Sequence, residues 1–167
     1  YIWKLSFDYN KSNIKHDKII NLCHKYSKNK IPDTYKNLIK LRIEGLYISE
    51  IPKTLIKLKE VTIFSQIIKN IDDVFINLEK IKLIGVESIH YLPNIINLNT
   101  LILIQCNNIK LLPDQLPNLK KLVINNTNIS IPITYTKLEE LTIVDNLSSF
   151  NKRTLPNTLI NLKRLNL

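Results

Sequence analysis

Apolar residues at relative positions 0, 3 and 5, followed by a turn and a proline-anchored return, recur through most of this chain. The central copies are Leu98/Leu101/Leu103 and Leu119/Leu122/Ile124. Before them stand Leu38/Leu41/Ile43, Leu58/Val61/Ile63 and Leu78/Ile81/Leu83; after them come Leu138/Leu141/Ile143 and Leu162/Leu165/Leu167. Most starts fall about 20 residues apart, and self-similarity at such a period marks a solenoid, one structural unit per repeat. Between positions 2 and 6 apolar and polar residues alternate, which predicts a short strand with one buried face. Position 7 reads Gly45, Ser65, Gly85, Gln105, Asn126 and Asp145. Both glycines of the chain share this place, where the backbone has to turn out of the strand.

The returns carry Pro52, Pro93, Pro113, Pro117, Pro132 and Pro156. Proline cannot donate to a sheet ladder, and about a dozen residues between strands leave no room for a long helix. Short 3₁₀ turns or polyproline-like segments are therefore expected opposite the sheet. The interval from Leu138 to Leu162 is longer, which makes Leu147–Pro156 an outward loop. The first 37 residues read differently. Ile2, Leu5 and Phe7 repeat the strand spacing, and Ile19, Leu22, Cys23 and Tyr26 fall at helical spacing, with Asp17 at the start and Lys25 and Lys28 towards the end. Residues 1–37 are thus expected to form one enlarged repeat with a strand at about 2–7 and a helix that caps the stack. Regular repeats fill 38–167, in a single domain.

The pattern LxxLxLxx, then Asn or Cys, then x-Leu/Ile resembles the leucine-rich repeat superfamily. LNTLILIQCNNI carries it with Cys106 and LEELTIVDNLS with Asn146, while LPNLKKLVI and LPNTLINLKRL resemble the short repeats of bacterial effector proteins. The resemblance implies an α/β solenoid, a right-handed horseshoe with one parallel sheet of about seven or eight strands and a concave binding face. Leu46, Gln66, Val86 and Thr127 hold the Asn/Cys place elsewhere, so no continuous asparagine ladder is expected there.

Composition adds bounds. A chain of 167 residues with 44% hydrophobic content can bury a core as one domain. The net charge of +10 is spread over the sequence rather than gathered into runs. Two cysteines, Cys23 and Cys106, without a CxxC motif, argue against a disulfide framework or a structural zinc site. No apolar run is long enough to span a membrane. Four N-x-S/T sequons, at Asn10, Asn125, Asn128 and Asn146, are what an asparagine-rich chain supplies by chance. The compartment stays open, with an intracellular setting the better fit. With no methionine in the chain, Tyr1 is not expected to be a native start, and the sequence reads as a piece of a longer protein.

Catalytic constellations are sparse. Cys23 lies on an apolar stripe and Cys106 at a structural place in the turn. His16 and His90 have no ligand-spaced neighbours, and the carboxylate pairs Asp72-Asp73 and Glu139-Glu140 sit on short segments with divergent side chains. Two glycines cannot build a phosphate-cradling loop. The reading is of a non-enzyme with no cofactor and no metal.

The solvent-facing rows carry the functional reading. Position 2 runs Lys40, Glu60, Lys80, Thr100, Lys121, Glu140, Arg164, largely alternating in charge. Positions 4 and 6 place Phe64, Ile84, Ile102, Ile104, Val123 and Val144 together as an exposed apolar patch, with Arg42 and Lys82 at its border to orient an acidic or amphipathic partner. The expected partner is another protein. The resemblance adds an alternative, a substrate-recruiting module of a ubiquitin-ligase-type or other effector whose catalytic domain lies elsewhere. Nucleic acid fits poorly, because the basic residues do not gather on one face with stacking aromatics. The last strand, around Leu165–Leu167, is an edge open to pairing.

Overall fold

A computed structural model describes residues 19–23 (backbone only), 30–45, 48–125, 129–144 and 154–167. It forms one sheet of eight parallel strands in chain order. The strands are β1 (Ile19–Cys23), β2 (Lys40–Glu44), β3 (Glu60–Phe64), β4 (Lys80–Ile84), β5 (Thr100–Ile104), β6 (Lys121–Asn125), β7 (Glu140–Val144) and β8 (Arg164–Asn166). Each pairs in register with its neighbour, so that Leu41, Val61, Ile81, Leu101, Leu122, Leu141 and Leu165 fall in one row. A second row joins Ile43, Ile63, Leu83, Leu103, Ile124 and Ile143, and none of these six is more than 1% exposed. The leading leucines from Leu38 to Leu138 are equally buried. Together with Ile51, Ile71, Phe75, Leu112 and Tyr135 from the returns, they form one continuous core behind the sheet.

The expected helix is corrected at its centre. Ile19–Cys23 is a strand, paired parallel with β2 through Ile20↔Leu41 and Leu22↔Ile43. Over so short an apolar run, helical and strand spacings both fit, and an available sheet edge decides between them. Tyr26 and the expected strand at 2–7 lie outside the described residues, as does most of the loop expected at 147–156. Among the described residues every regular element is a strand, so the helix that would make the class α/β is not among them.

The returns before β2, β3, β4, β7 and β8 are built from two successive tight turns, and those before β5 and β6 keep only the second. In the first, the amide of Tyr35, Leu55, Tyr135 or Leu159 bonds back to the carbonyl of Pro32, Pro52, Pro132 or Pro156; in β4's repeat, Phe75 does the same to Asp72. In the second, the leading leucine bonds to the residue three before it, as Leu58 does to Leu55 at 3.1 Å and Leu98 to Ile95 at 3.0 Å. Proline at the opening of the first turn needs no amide donor there and presets φ.

Turns leave carbonyls outside the sheet ladder, and side chains of the following repeat satisfy them. Asn77, Asn97, Asn118 and Asn161, each just before a leading leucine, donate Nδ2 to the carbonyls of Ile56, Ile76, Ile96 and Thr136 at 2.7–2.9 Å. Lysine takes the same place twice, and Lys57 and Lys137 bond instead to Asn37 Oδ1 and Asn118 Oδ1. Three positions earlier, Thr54, Thr134 and Thr158 donate Oγ1 to the carbonyls of Asp33, Asp114 and Ile133 at 2.6–3.0 Å. An asparagine ladder does exist, at position −1 rather than at the place the superfamily pattern directs attention to. Cys106 holds that latter place, fully buried, its Sγ 3.4 Å from the carbonyl of Ile104.

The backbone leaves β2, β4 and β5 through positive φ at Gly45 (105°), Gly85 (62°) and Gln105 (53°). Ser65 solves the same turn with its hydroxyl, which is buried and accepts the Ile67 amide. A Cβ at Gly85 would meet nothing within 4 Å, so the cost of a side chain there is conformational rather than steric. Gly85→Ala is expected to lower unfolding free energy by about 1–2 kcal/mol in urea denaturation. Gly85→Asn should recover much of that, since Asn tolerates this region.

Candidate protein-binding face

The outward face of the sheet is defined by the residues between the two buried rows. Register pairs set Glu44 beside Phe64, Lys82 beside Ile102, Ile84 beside Ile104, and Ile102 beside Val123. Adjacent parallel strands lie about 4.8 Å apart, so these apolar side chains touch across strands and form a patch two columns wide. Phe64, Ile84, Ile102, Ile104 and Val123 are half-buried by one another, and Val144 is 47% exposed. Among the described residues no element lies over this face, since strands meet only their neighbours in the sheet. Of the residues singled out from sequence, the isoleucines and Val123 come together. Val144 stands at the far edge beside Asn125.

Arg42 is committed within the fold. Its guanidinium lies 4.4 Å from the centre of the Phe64 ring and is bonded to the Glu44 carboxylate. The aromatic face below the cation and the carboxylate bonded to it hold the arginine in place. Position 2 neutralises itself at both ends of the row: Lys40 pairs with Glu60 at 2.6 Å and Lys121 with Glu140 at 2.9 Å, while Arg164 closes on Glu140 from the other side, and Lys80 between them has no ion pair among the described residues. Position 1 holds a second set, with Lys59 and Glu79 at 2.8 Å, and Glu139 between Lys120 and Lys163. The signal for this set lies in the same alternation, one residue earlier. Asp72 is likewise structural, bonded to Lys53 at 2.6 Å and to the Val74 amide.

These pairings set a pH dependence. The hydrogen bond from Lys163 holds Glu139 below the ordinary glutamate value of 4.5, and that from Lys121 does the same for Glu140. A carboxylate with a lowered folded pKa contributes stability that is complete above its unfolded pKa and is lost as pH falls through the folded one. The thermal midpoint should therefore be level from neutral pH to about 5.5 and fall below about 4.5. Glu140→Gln should flatten that fall, as read by circular dichroism melts across the range.

Sequence reasoning missed one exposed row. Ile56, Ile76, Ile96 and Ile160, at position −2 in the second turn, are 52–81% exposed. The row is one residue wide, broken by Pro117 and Thr136, and bordered by the asparagine ladder. It forms a file rather than a patch. The described residues contain no cluster of His, Cys, Asp and Glu that could hold a metal ion. No helix of the described residues is long and apolar enough to cross a membrane. Burial pushes the Cys106 thiol up, away from the thiolate that a nucleophile requires. No protein-family model matches the chain, and no curated protein matches it.

Proposed function

We propose that this chain is a non-catalytic protein-binding module of leucine-rich-repeat type, which engages its partner through the outward face of the sheet. The observation that supports this most directly is the two-column apolar patch of Ile84, Ile102, Ile104 and Val123, left uncovered by any described element. Contiguous apolar surface beyond a few hundred Å² on a folded domain usually marks an interaction site. A short strand in every repeat also presents a rigid platform, on which partner contacts cost little ordering entropy. The family resemblance adds the curvature that would turn the face into a cleft.

The test is quantitative capture by the immobilised chain, comparing wild type with Ile102→Glu/Ile104→Glu on the face and Ile76→Glu/Ile96→Glu on the flank. Circular dichroism melts establish that both variants are folded. The expected result is partner recovery lost in the face variant and kept in the flank variant. Equal recovery by wild type and the face variant, or loss confined to the flank variant, overturns the reading.

A further inference from the structure

The outward face carries six cations among its described strand residues: Lys40, Arg42, Lys80, Lys82, Lys121 and Arg164. Four are paired, Lys40 with Glu60, Arg42 with Glu44, and Lys121 and Arg164 with Glu140. Lys80 and Lys82 have neither an ion pair nor a side-chain hydrogen bond among the described residues. Both belong to β4 and are two residues apart. They therefore point to the same face with their Cα atoms about 6.6 Å apart, at a rise of about 3.3 Å per residue. At that separation two flexible lysine side chains can converge on one carboxylate.

The sheet register surrounds this pair with groups that do not neutralise it. Lys80 stands between Glu60, already held by Lys40, and Thr100, whose hydroxyl is turned to Asn99. Lys82 stands between Thr62 and Ile102. Immediately beyond them begin Ile84, Ile102, Ile104 and Val123. Elsewhere along the face each cation has its acid one strand away or two residues along its own strand, so β4 is where the pattern of internal compensation lapses.

Resting on the protein-binding reading above, we infer that the face takes a partner segment in which an aspartate or glutamate lies beside apolar residues. The acid is held by Lys80 and Lys82, and the apolar side chains lie on β4 to β6. Arg42, engaged by Phe64 and Glu44, contributes the wall of this site rather than its anchor. Complementary charge at the rim of an apolar patch governs on-rate and salt dependence, while the patch supplies the burial. Two unpaired lysines on one strand are too few to track a polyphosphate backbone, which favours a peptide acid over nucleic acid.

A random peptide library displayed on phage, panned on the folded chain, tests this directly. Enriched peptides should carry Asp or Glu next to apolar residues. Their affinity should fall at least tenfold on Lys80→Glu/Lys82→Glu, fall less on Lys80→Gln/Lys82→Gln, and weaken as salt rises. They should also be lost on Ile102→Glu/Ile104→Glu. Peptides lost on the isoleucine variant but indifferent to both lysine variants overturn the acid anchor and leave the binding face standing. Peptides that bind the isoleucine variant as well as wild type, or a library that yields no enrichment, overturn both. A single-stranded oligonucleotide bound in a Lys80- and Lys82-dependent way, more tightly than any peptide, overturns the assignment to a peptide acid.

Discussion

Replacing Phe75 by alanine is expected to cost about 3–5 kcal/mol of unfolding free energy. Phe75 is fully buried and occupies the place in its repeat that Leu55 and Ile95 hold on either side. Its removal opens a cavity between two rigid turns that have little freedom to collapse. Domains of this size have only about 5–15 kcal/mol of net stability, so such a loss takes a large share of the whole. In a stack where each repeat meets only its neighbours, the damage also uncouples what lies on either side. Urea denaturation should show both a lower midpoint and a shallower transition, the latter because the two flanks no longer unfold together. Phe75→Leu, which restores the side chain used at Leu55 and Leu116, should cost less than about 1.5 kcal/mol and keep the slope. An unchanged slope in Phe75→Ala would mean that the stack stays one cooperative unit despite the cavity.

Tyr135→Phe should cost about 1–3 kcal/mol although it removes one oxygen and leaves no appreciable cavity. The Tyr135 hydroxyl donates to the carbonyl of Pro113 at 2.8 Å, and the side chain is 1% exposed. Without it, the carbonyl of the buried Pro113 in the preceding repeat loses its donor. Burial also pushes the phenol well above its ordinary value of 10, so the group stays a donor well beyond neutral pH. An ultraviolet titration of the folded chain should therefore show a phenol that ionises above pH 10 and joins the others only on unfolding. Tyr135→Phe should lack that late-ionising component. A variant as stable as wild type would show that the carbonyl of Pro113 finds another partner.

Much of the ladder is legible before any coordinates. From β2 to β7 positions 3 and 5 fall in buried rows, because a slip of one residue would turn both to solvent; in β8, at the end of the described sheet, Leu165 and Leu167 are 44% and 63% exposed. The turn at position 7 follows from both glycines sharing it, and Gly45 and Gly85 do adopt positive φ. The outward rows follow from the same count. What escaped was β1, where Asp17 stands at the place of the leading leucine and removes the strongest marker of the repeat. The asparagine ladder escaped because its residues read as ordinary polar turn formers, and only the pairing of one turn with the next reveals their carbonyl partners. Arg42 escaped for a related reason: a row of side chains records who is adjacent, whereas its engagement with both Phe64 and Glu44 depends on which of several neighbours it bends towards.

The asparagine and threonine bonds all run one way, each donor reaching back to a carbonyl laid down some 20 residues earlier. A coil added at the C-terminal side thus brings its own hydrogens to acceptors that are already fixed in space. A coil added at the N-terminal side would have to offer acceptors to donors still waiting. Synthesis on the ribosome delivers the chain in the first order, so every new coil can settle on a finished template as it emerges.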